Sequence, residues 1–413
     1  MNPTPDRITR YHVVLFVICF FGTVFGGVAS TLMSVYLPVA VRDLLGEQSE
    51  TQLNNTSAYI NSVFIFGGAV GGFLCGWISD KFGRKTAVII SIASIGIFML
   101  CTAFMENWWL IVACRFLTGF GVGGILVTAT TIIVEDWPTK TRAIFVGFLS
   151  VAIPVGIFSA GAIDYFVSSW REAFYLGIIP IAIAALSIKI LNESSVWLNS
   201  TTDRQQNKNI SVRFSSGYSS TLLNGSVIFG TMLIGLWAIF SWLPTWIHTL
   251  VLSGDGHEER GLSMMMLGIG GLAGGFLSGW LMNAIGIRRS LILCFVVCAV
   301  MSLVLFKTNA VFATIILVEI AILAFFFGLS QGILSVYIPD LFPVSIRGTA
   351  TGFCFNTGRL LTGTAVLFVG VLVTQLGGYG NALLIFSSVF VIGLIVTIFT
   401  KQKSSTDEQD VQN

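Results

Sequence analysis

The sequence predicts an all-α membrane protein of twelve transmembrane helices, built as two pseudo-symmetric bundles of six. Three observations predict it. Of 413 residues only 10% are charged and 54% are apolar, and the mean hydropathy is +0.86; a soluble chain of this length needs far more charge to cover its surface. Six stretches carry no Asp, Glu, Lys or Arg: 11–41, 51–79, 86–105, 214–254, 261–287 and 360–400. A run of about 18 such residues is long enough to span a bilayer as a helix. Finally, "GGFLCGWISDKFGRK" (71–85) is echoed 203 residues later by "GGFLSGWLMNAIGIRR" (274–289), which points to a duplication.

Taken in order, the first span (12–40) fills the uncharged run that ends at Arg42, and the second (55–79) ends at Asp80. The third (86–105) lies between Lys85 and Glu106, and the fourth (108–134) ends at Glu135 and contains Arg115. The fifth (142–167) carries Asp164 near its end, and the sixth (172–190) stops before Asn192. Residues 196–223, "VWLNSTTDRQQNKNISVRFSSGYSSTLL", are polar and read as a linker between an N-terminal bundle (1–195) and a C-terminal one (224–400). The seventh span (224–250) and the eighth (262–283) fill uncharged runs, and the ninth (289–306) begins at the basic pair Arg288–Arg289. The tenth (311–337) contains Glu319, and the eleventh (348–374) contains Arg359. "LGGYGN" (376–381) is a turn signal that separates off the twelfth (381–400). Residues 401–413 form a tail.

Lysine and arginine orient the chain. With both termini cytoplasmic, the cytoplasmic segments hold sixteen of these residues and the outer segments four (Arg42, Arg171, Arg260 and Lys307). The polar residues 1–10 precede a span too long for a cleaved signal peptide, so the first span is expected to be retained. All seven cysteines fall in spans without metal-ligand spacing, and read as small packing residues. No metal and no cofactor is expected, and no basic run interleaved with aromatics suggests nucleic acid. The histidines His12, His248 and His257 are scattered, and no nucleophile–base arrangement is visible, so the chain does not read as an enzyme.

A second pair of segments supports the duplication. "EDWPTKTRA" (135–143) ends the fourth helix of the first half and "DLFPVSIRGTA" (340–350) ends that of the second. They set Glu135 against Asp340, Pro138 against Pro343 and Arg142 against Arg347, at an offset of 205. A duplicated membrane bundle is the build of a secondary transporter, with its substrate site between the repeats near mid-membrane.

"GWISDKFGRK" between helices 2 and 3, with Gly76, Asp80, Gly83, Arg84 and Lys85, resembles the signature of the major facilitator superfamily. "RFLTGFGVGG" (115–124) is similar to its helix 4 motif, and the likeness runs over about residues 10–400. "NESSVWL" (192–198) and "DLFPVSIRGTATGFCFNTGR" (340–359), with "EDWPTKTRA", look most like the metabolite:proton symporter branch that carries sialic and aromatic acids. The resemblance implies the major facilitator fold, alternating access, and a monomer in a bacterial cytoplasmic membrane. It also implies that Asp80 holds helix 2 against helix 11 in the outward-facing state while Arg84 links to Glu135 or Asp136. Gly76, Asp80, Gly83, Arg84, Glu135, Arg142, Asp340 and Arg347 are thus the gating candidates. One departure stands out: helix 1, "VICFFGTVFGGVASTLMSVYLPVA", lacks the aspartate usual in the aromatic-acid branch.

Ionisable residues within a bilayer are costly and mark functional paths. Arg359 lies eleven residues past Gly348, about 16 Å along a helix and near mid-membrane. It is the first candidate for substrate contact, with Asn356, Gln331, Trp237, Tyr36 and Arg115 beside it. The plainer alternative is that helix carbonyls and Asn356 satisfy Arg359 permanently. Glu319 and Asp164 are the in-span carboxylates and therefore the candidates for proton coupling; the alternatives are a structural role for Glu319 and contact with outer water for Asp164.

The expected function is proton-coupled symport of a small organic acid, a sugar acid such as sialic acid or an aromatic acid. The rivals are a sugar porter, a proton-coupled exporter of amphipathic compounds and, more remotely, a non-transporting membrane receptor. The expected partners are the small-molecule substrate, a proton and the lipid bilayer.

Overall fold

The computed structural model describes residues 7–46, 48–194, 196–198, 219–252, 254–342 and 347–400. Among the described residues, twelve helices are long and apolar enough to cross a membrane: α1 (Arg10–Leu45), α2 (Glu50–Phe82), α3 (Arg84–Ala103), α4 (Trp108–Asp136), α5 (Lys140–Phe166), α6 (Trp170–Ile190), α7 (Ser219–Leu250), α8 (His257–Ile285), α9 (Ile287–Thr308), α10 (Thr314–Asp340), α11 (Ala350–Leu376) and α12 (Tyr379–Phe399). Most of the linker expected at 196–223 (199–218) and the tail at 401–413 lie outside the described residues. Residues 219–223 belong to α7, which begins earlier than the expected 224.

Lipid offers the backbone no hydrogen-bond partner, so each span must close its own bonds as a helix. α1 shows how far this extends. It runs for 36 residues, about 54 Å at 1.5 Å per residue, and so overshoots a core of about 30 Å at both ends. It continues through Pro38, as α7 continues through Pro244 at the equivalent place in the repeat. α5 turns at Val151 and α6 passes through a short 3-10 turn at Tyr175–Gly177. Pro154 and Pro180 fall in the first turns of the helices that resume, where an N–H would have no helical partner anyway.

The duplication is legible in the packing. A Cβ at Gly67, Gly71 or Gly123 would overlap the facing backbone of the α2/α4 pair. Gly270, Gly274 and Gly328 do the same for α8 and α10. Backbones this close are a gain only between small residues. The ridge that interlocks most tightly is therefore Gly67–Gly71; Gly68, Gly72 and Gly76 lie beside it, where a Cβ would meet α4 (Gly119, Gly123, Val127) or Arg359 at 3.2–3.9 Å. Gly83 (φ 108°) and Gly286 (φ 86°) make the sharp α2–α3 and α8–α9 turns, in a backbone region that disfavours any side chain. Phe73, Trp77, Phe276 and Trp280 stand exposed at repeat-equivalent positions, as lipid-facing residues do.

An even number of spans sets the start of α1 and the end of α12 at one face, here termed the terminal face. The halves meet along two seams, α2 with α11 and α5 with α8. Toward the far face both seams are closed. A Cβ on Gly370 would lie 2.6 Å from the Asn54 carbonyl oxygen, one on Gly161 2.6 Å from that of Gly261, and one on Gly268 2.6 Å from the Phe158 nitrogen. Toward the terminal face both seams part. Gly271 still reaches Pro154 at 3.9 Å, but a Cβ on Gly275, Gly279, Gly147 or Gly352 would meet nothing within 4 Å. The halves therefore enclose a wedge, shut at the far face and open at the terminal face.

Candidate functional site

Arg359 sits where the α2/α11 seam begins to part. Its Nη1 lies 3.2 Å from the place a Gly72 Cβ would take, and the same point is 3.6 Å from the Gly123 carbonyl oxygen of α4. The absence of a side chain at Gly72 thus lets a guanidinium of the second half reach the α2/α4 pair of the first. Arg359 is partly exposed. Among the described residues it makes no ion pair and no hydrogen bond, to Asn356 or to any carbonyl. Asn356, one turn nearer the terminal face, is also partly exposed. Gln331 of α10 is half-buried with an amide nitrogen that has no partner.

Arg115 is 1% exposed. Its Nη1 donates to the Ala29 carbonyl of α1 at 2.7 Å and its guanidinium lies 4.1 Å from the Phe64 ring centroid. Nε and Nη2 are buried without an acceptor. The Phe64 ring in turn lies 6.3 Å from that of Trp237 of α7, so an aromatic pair crosses between the halves beside Arg115. Tyr36 is fully buried and its hydroxyl donates to the Val167 carbonyl, which places it in the packing of α1 against the end of α5.

The far face is held by polar contacts between halves. Asp164 of α5 meets Arg260 of α8 at 3.5 Å, with side chains 0% and 1% exposed. Arg260 also donates to the Asp255 carbonyl at 2.6 Å. Asp255, in the α7–α8 turn, is held below the usual carboxylate range by a hydrogen bond from His257. Asn61 accepts from Ser34 of its own half and donates to the Ser241 carbonyl of the other at 3.1 Å. Tyr379 donates to Asn54. A gap of about 50 Å³ there is lined by Arg42, Glu50, Asn54, Thr245, His248 and Tyr379. Glu319 stands apart from all of these, accepting from Asn309 at 2.7 Å near the far ends of α9 and α10.

At the terminal face a charged cluster ties α2, α3 and α4 to Glu193, Ser194 and Trp197. Arg84 pairs with Asp80 and with Glu135, both at 2.7 Å. Glu193 accepts from the backbone nitrogens of Arg84 (2.6 Å) and Lys85 (3.2 Å) at the start of α3, where the helix dipole favours an anion. Ser194 donates to Glu135, and the Trp197 indole to the Asp80 carbonyl. Gly83 provides the turn that brings Arg84 inward, and a Cβ on Gly76 would meet only Val127, at 3.9 Å. Arg142 donates to the Trp137 carbonyl at 3.1 Å, and Asp340 is exposed. The Arg347 side chain lies outside the described residues.

Sequence reasoning missed Arg260, counted there as an outer-loop cation, because no local signal says that a helix start will be buried against Asp164. It also missed Phe64 and the role of Gly72. Glu193 lay within the quoted "NESSVWL", but its partner, the start of α3, is over a hundred residues away. A recess of about 470 Å³ on α5 and α6, lined by Ile163, Phe166, Glu172 and Leu176, is almost wholly apolar.

Two duplicated six-helix bundles that close at one face and part at the other, around a cation without a partner among the described residues, have the build of a membrane carrier. The chain belongs to the Major Facilitator Superfamily, whose sequence model matches residues 19–366. It is a multi-pass membrane transporter and not an enzyme. It is 25% identical to a cis,cis-muconate transport protein of Acinetobacter baylyi, over 88% of this chain and 89% of that one. It is 26% identical to the sialic acid transporter NanX of Escherichia coli, over 92% and 91% of the two chains. Its fold matches the crystal structure of a D-xylose-proton symporter with a TM-score of 0.81 at 19% identity, covering 95% of this chain and 98% of that one.

Proposed function

We propose that this chain is a secondary carrier of small organic acids, sugar acids or unsaturated and aromatic acids, working by alternating access in a bacterial cytoplasmic membrane. The observation that carries the reading is Arg359: a guanidinium at the apex of the wedge, open to water and without a partner among the described residues. A guanidinium offers a planar fork of donors that fits a carboxylate with two parallel bonds. The acid transporters among its relatives support the same class. The lysine and arginine bias supports a cytoplasmic terminal face, and in this reading the structure is inward-facing. In this reading the Asp164–Arg260, Asn61 and Tyr379 contacts are the closed outer gate, and the Arg84 cluster braces the N-terminal half while the inner gate stands open.

Binding to purified protein tests the reading. Muconate and sialic acid are compared with their amides, and xylose serves as the neutral sugar. Arg359→Lys keeps the charge and loses the fork, and raises the dissociation constant for the acid by tenfold or more, about 1.4 kcal/mol. Arg359→Ala abolishes binding of the acid. A parent that binds acid and amide equally, or prefers xylose, sinks the organic-acid reading.

A further inference from the structure

We propose that this chain is an obligatory exchanger of organic anions, carrying one acid inward only as another leaves; the proposal rests on the reading of Arg359 as the carboxylate hook. It follows from a count of charges inside the membrane. Arg115 and Arg359 lie well within their spans, Asp164 and Arg260 pair near the far ends of α5 and α8, and Glu319 lies five residues past the start of α10. Asp164 is taken by Arg260 at the far face, and Glu319 accepts from Asn309 away from the seams. α1, which packs against Arg115 through Ala29, has no Asp or Glu between Tyr11 and Val41. Two guanidiniums along the α2/α4 pair therefore have no counter-charge.

The two differ in what supports them. Arg115 is already enclosed, with one carbonyl and one aromatic face, and two of its nitrogens lack an acceptor. Arg359 has no such support, and its charge is tolerated because the wedge lets water reach it. For the site to face the other side, the wedge must close over Arg359 before the far face opens. With an acid bound, the carboxylate travels as the counter-ion. With the site empty, a second uncompensated cation must be shut into the interior that already holds Arg115. An ion stripped of water without a partner is far costlier than a paired one, and a guanidinium has no way to neutralise itself by losing a proton. The empty carrier thus closes slowly and the loaded carrier fast. Net transport needs the empty return step, whereas exchange avoids it. An arriving proton does not help, because it adds positive charge to a site already short of negative charge.

The test uses the purified full-length chain in liposomes, with labelled muconate or labelled sialic acid outside. Initial uptake into vesicles preloaded with the same unlabelled acid is compared with uptake into vesicles holding buffer alone, with and without an acid-outside pH gradient. The expected result is a ratio of tenfold or more in favour of preloaded vesicles, unchanged by the gradient. Uptake into buffer-filled vesicles within tenfold of the exchange rate, driven by the gradient or not, overturns the exchanger while leaving the carboxylate hook in place. No uptake of either acid in any condition, together with no binding, overturns both.

Discussion

Replacing Arg260 by methionine isolates the contribution of the outer latch. The pair it breaks joins the two halves, lies 3.5 Å apart and is almost fully enclosed. At an effective dielectric of about 20, the attraction at the observed 3.5 Å is about 5 kcal/mol, opposed by the cost of drying both ions. The more useful quantity is what remains after one partner is removed: a lone enclosed carboxylate destabilises the state that encloses it by about 3–5 kcal/mol. The far-face-open state lets water reach Asp164 and escapes that cost. Arg260→Met therefore shifts the equilibrium toward the open far face by about a hundredfold or more. The assay places a single cysteine at Thr245, which is 6% exposed and lines the residual far-face gap, in a chain whose seven native cysteines are replaced. A membrane-impermeant maleimide added outside then labels it at least tenfold faster in Arg260→Met than in the parent. The double variant Asp164→Asn/Arg260→Met removes the stranded charge and returns labelling to within threefold of the parent. If the single substitution leaves labelling unchanged, or if the double behaves like the single, the pair is not a latch and the far-face argument fails.

Three further outcomes follow from the packing and the charges. Gly71→Ala drives a Cβ into the Phe120 carbonyl and lowers the thermal midpoint sharply, whereas Gly279→Ala, with nothing within 4 Å, leaves it within about a degree; equal effects in a melting assay would contradict the interlock. Glu135→Gln strips Arg84 of its more sheltered partner and costs about 2–4 kcal/mol, while Asp80→Asn, whose side chain is 59% exposed, costs distinctly less; comparative unfolding reverses this ranking only if the cluster is organised around Asp80. Single cysteines at Glu106 and Lys140 report topology: the impermeant reagent outside intact cells labels the first and not the second, and the opposite pattern would invert every gate assignment.

The twelve spans, the duplication and the resemblance that pointed to the family were legible in the chain itself. Each depends on properties local to a segment: uncharged runs, turn glycines such as Gly83 and Gly286, and motifs repeated at offsets of 203 and 205. A bilayer enforces such local rules strongly, since each span must satisfy its own backbone whatever its neighbours do. Arg359 could also be singled out as a charge deep in a span, because depth along a helix is a count of residues. What the tertiary structure alone decided is who meets whom. Asp164, read as a coupling carboxylate or as a residue reaching outer water, is enclosed against Arg260, whose place in the chain looked like an exposed loop. Gly72 is the space that admits Arg359, beside the interlocking ridge of Gly67 and Gly71. Arg115 has the same one-letter signal as Arg359, yet one is shut behind Phe64 and the other is partly exposed. These differences are set by helix rotation and by the angle between the two halves. Both are long-range consequences of packing, and no property of a single segment encodes them.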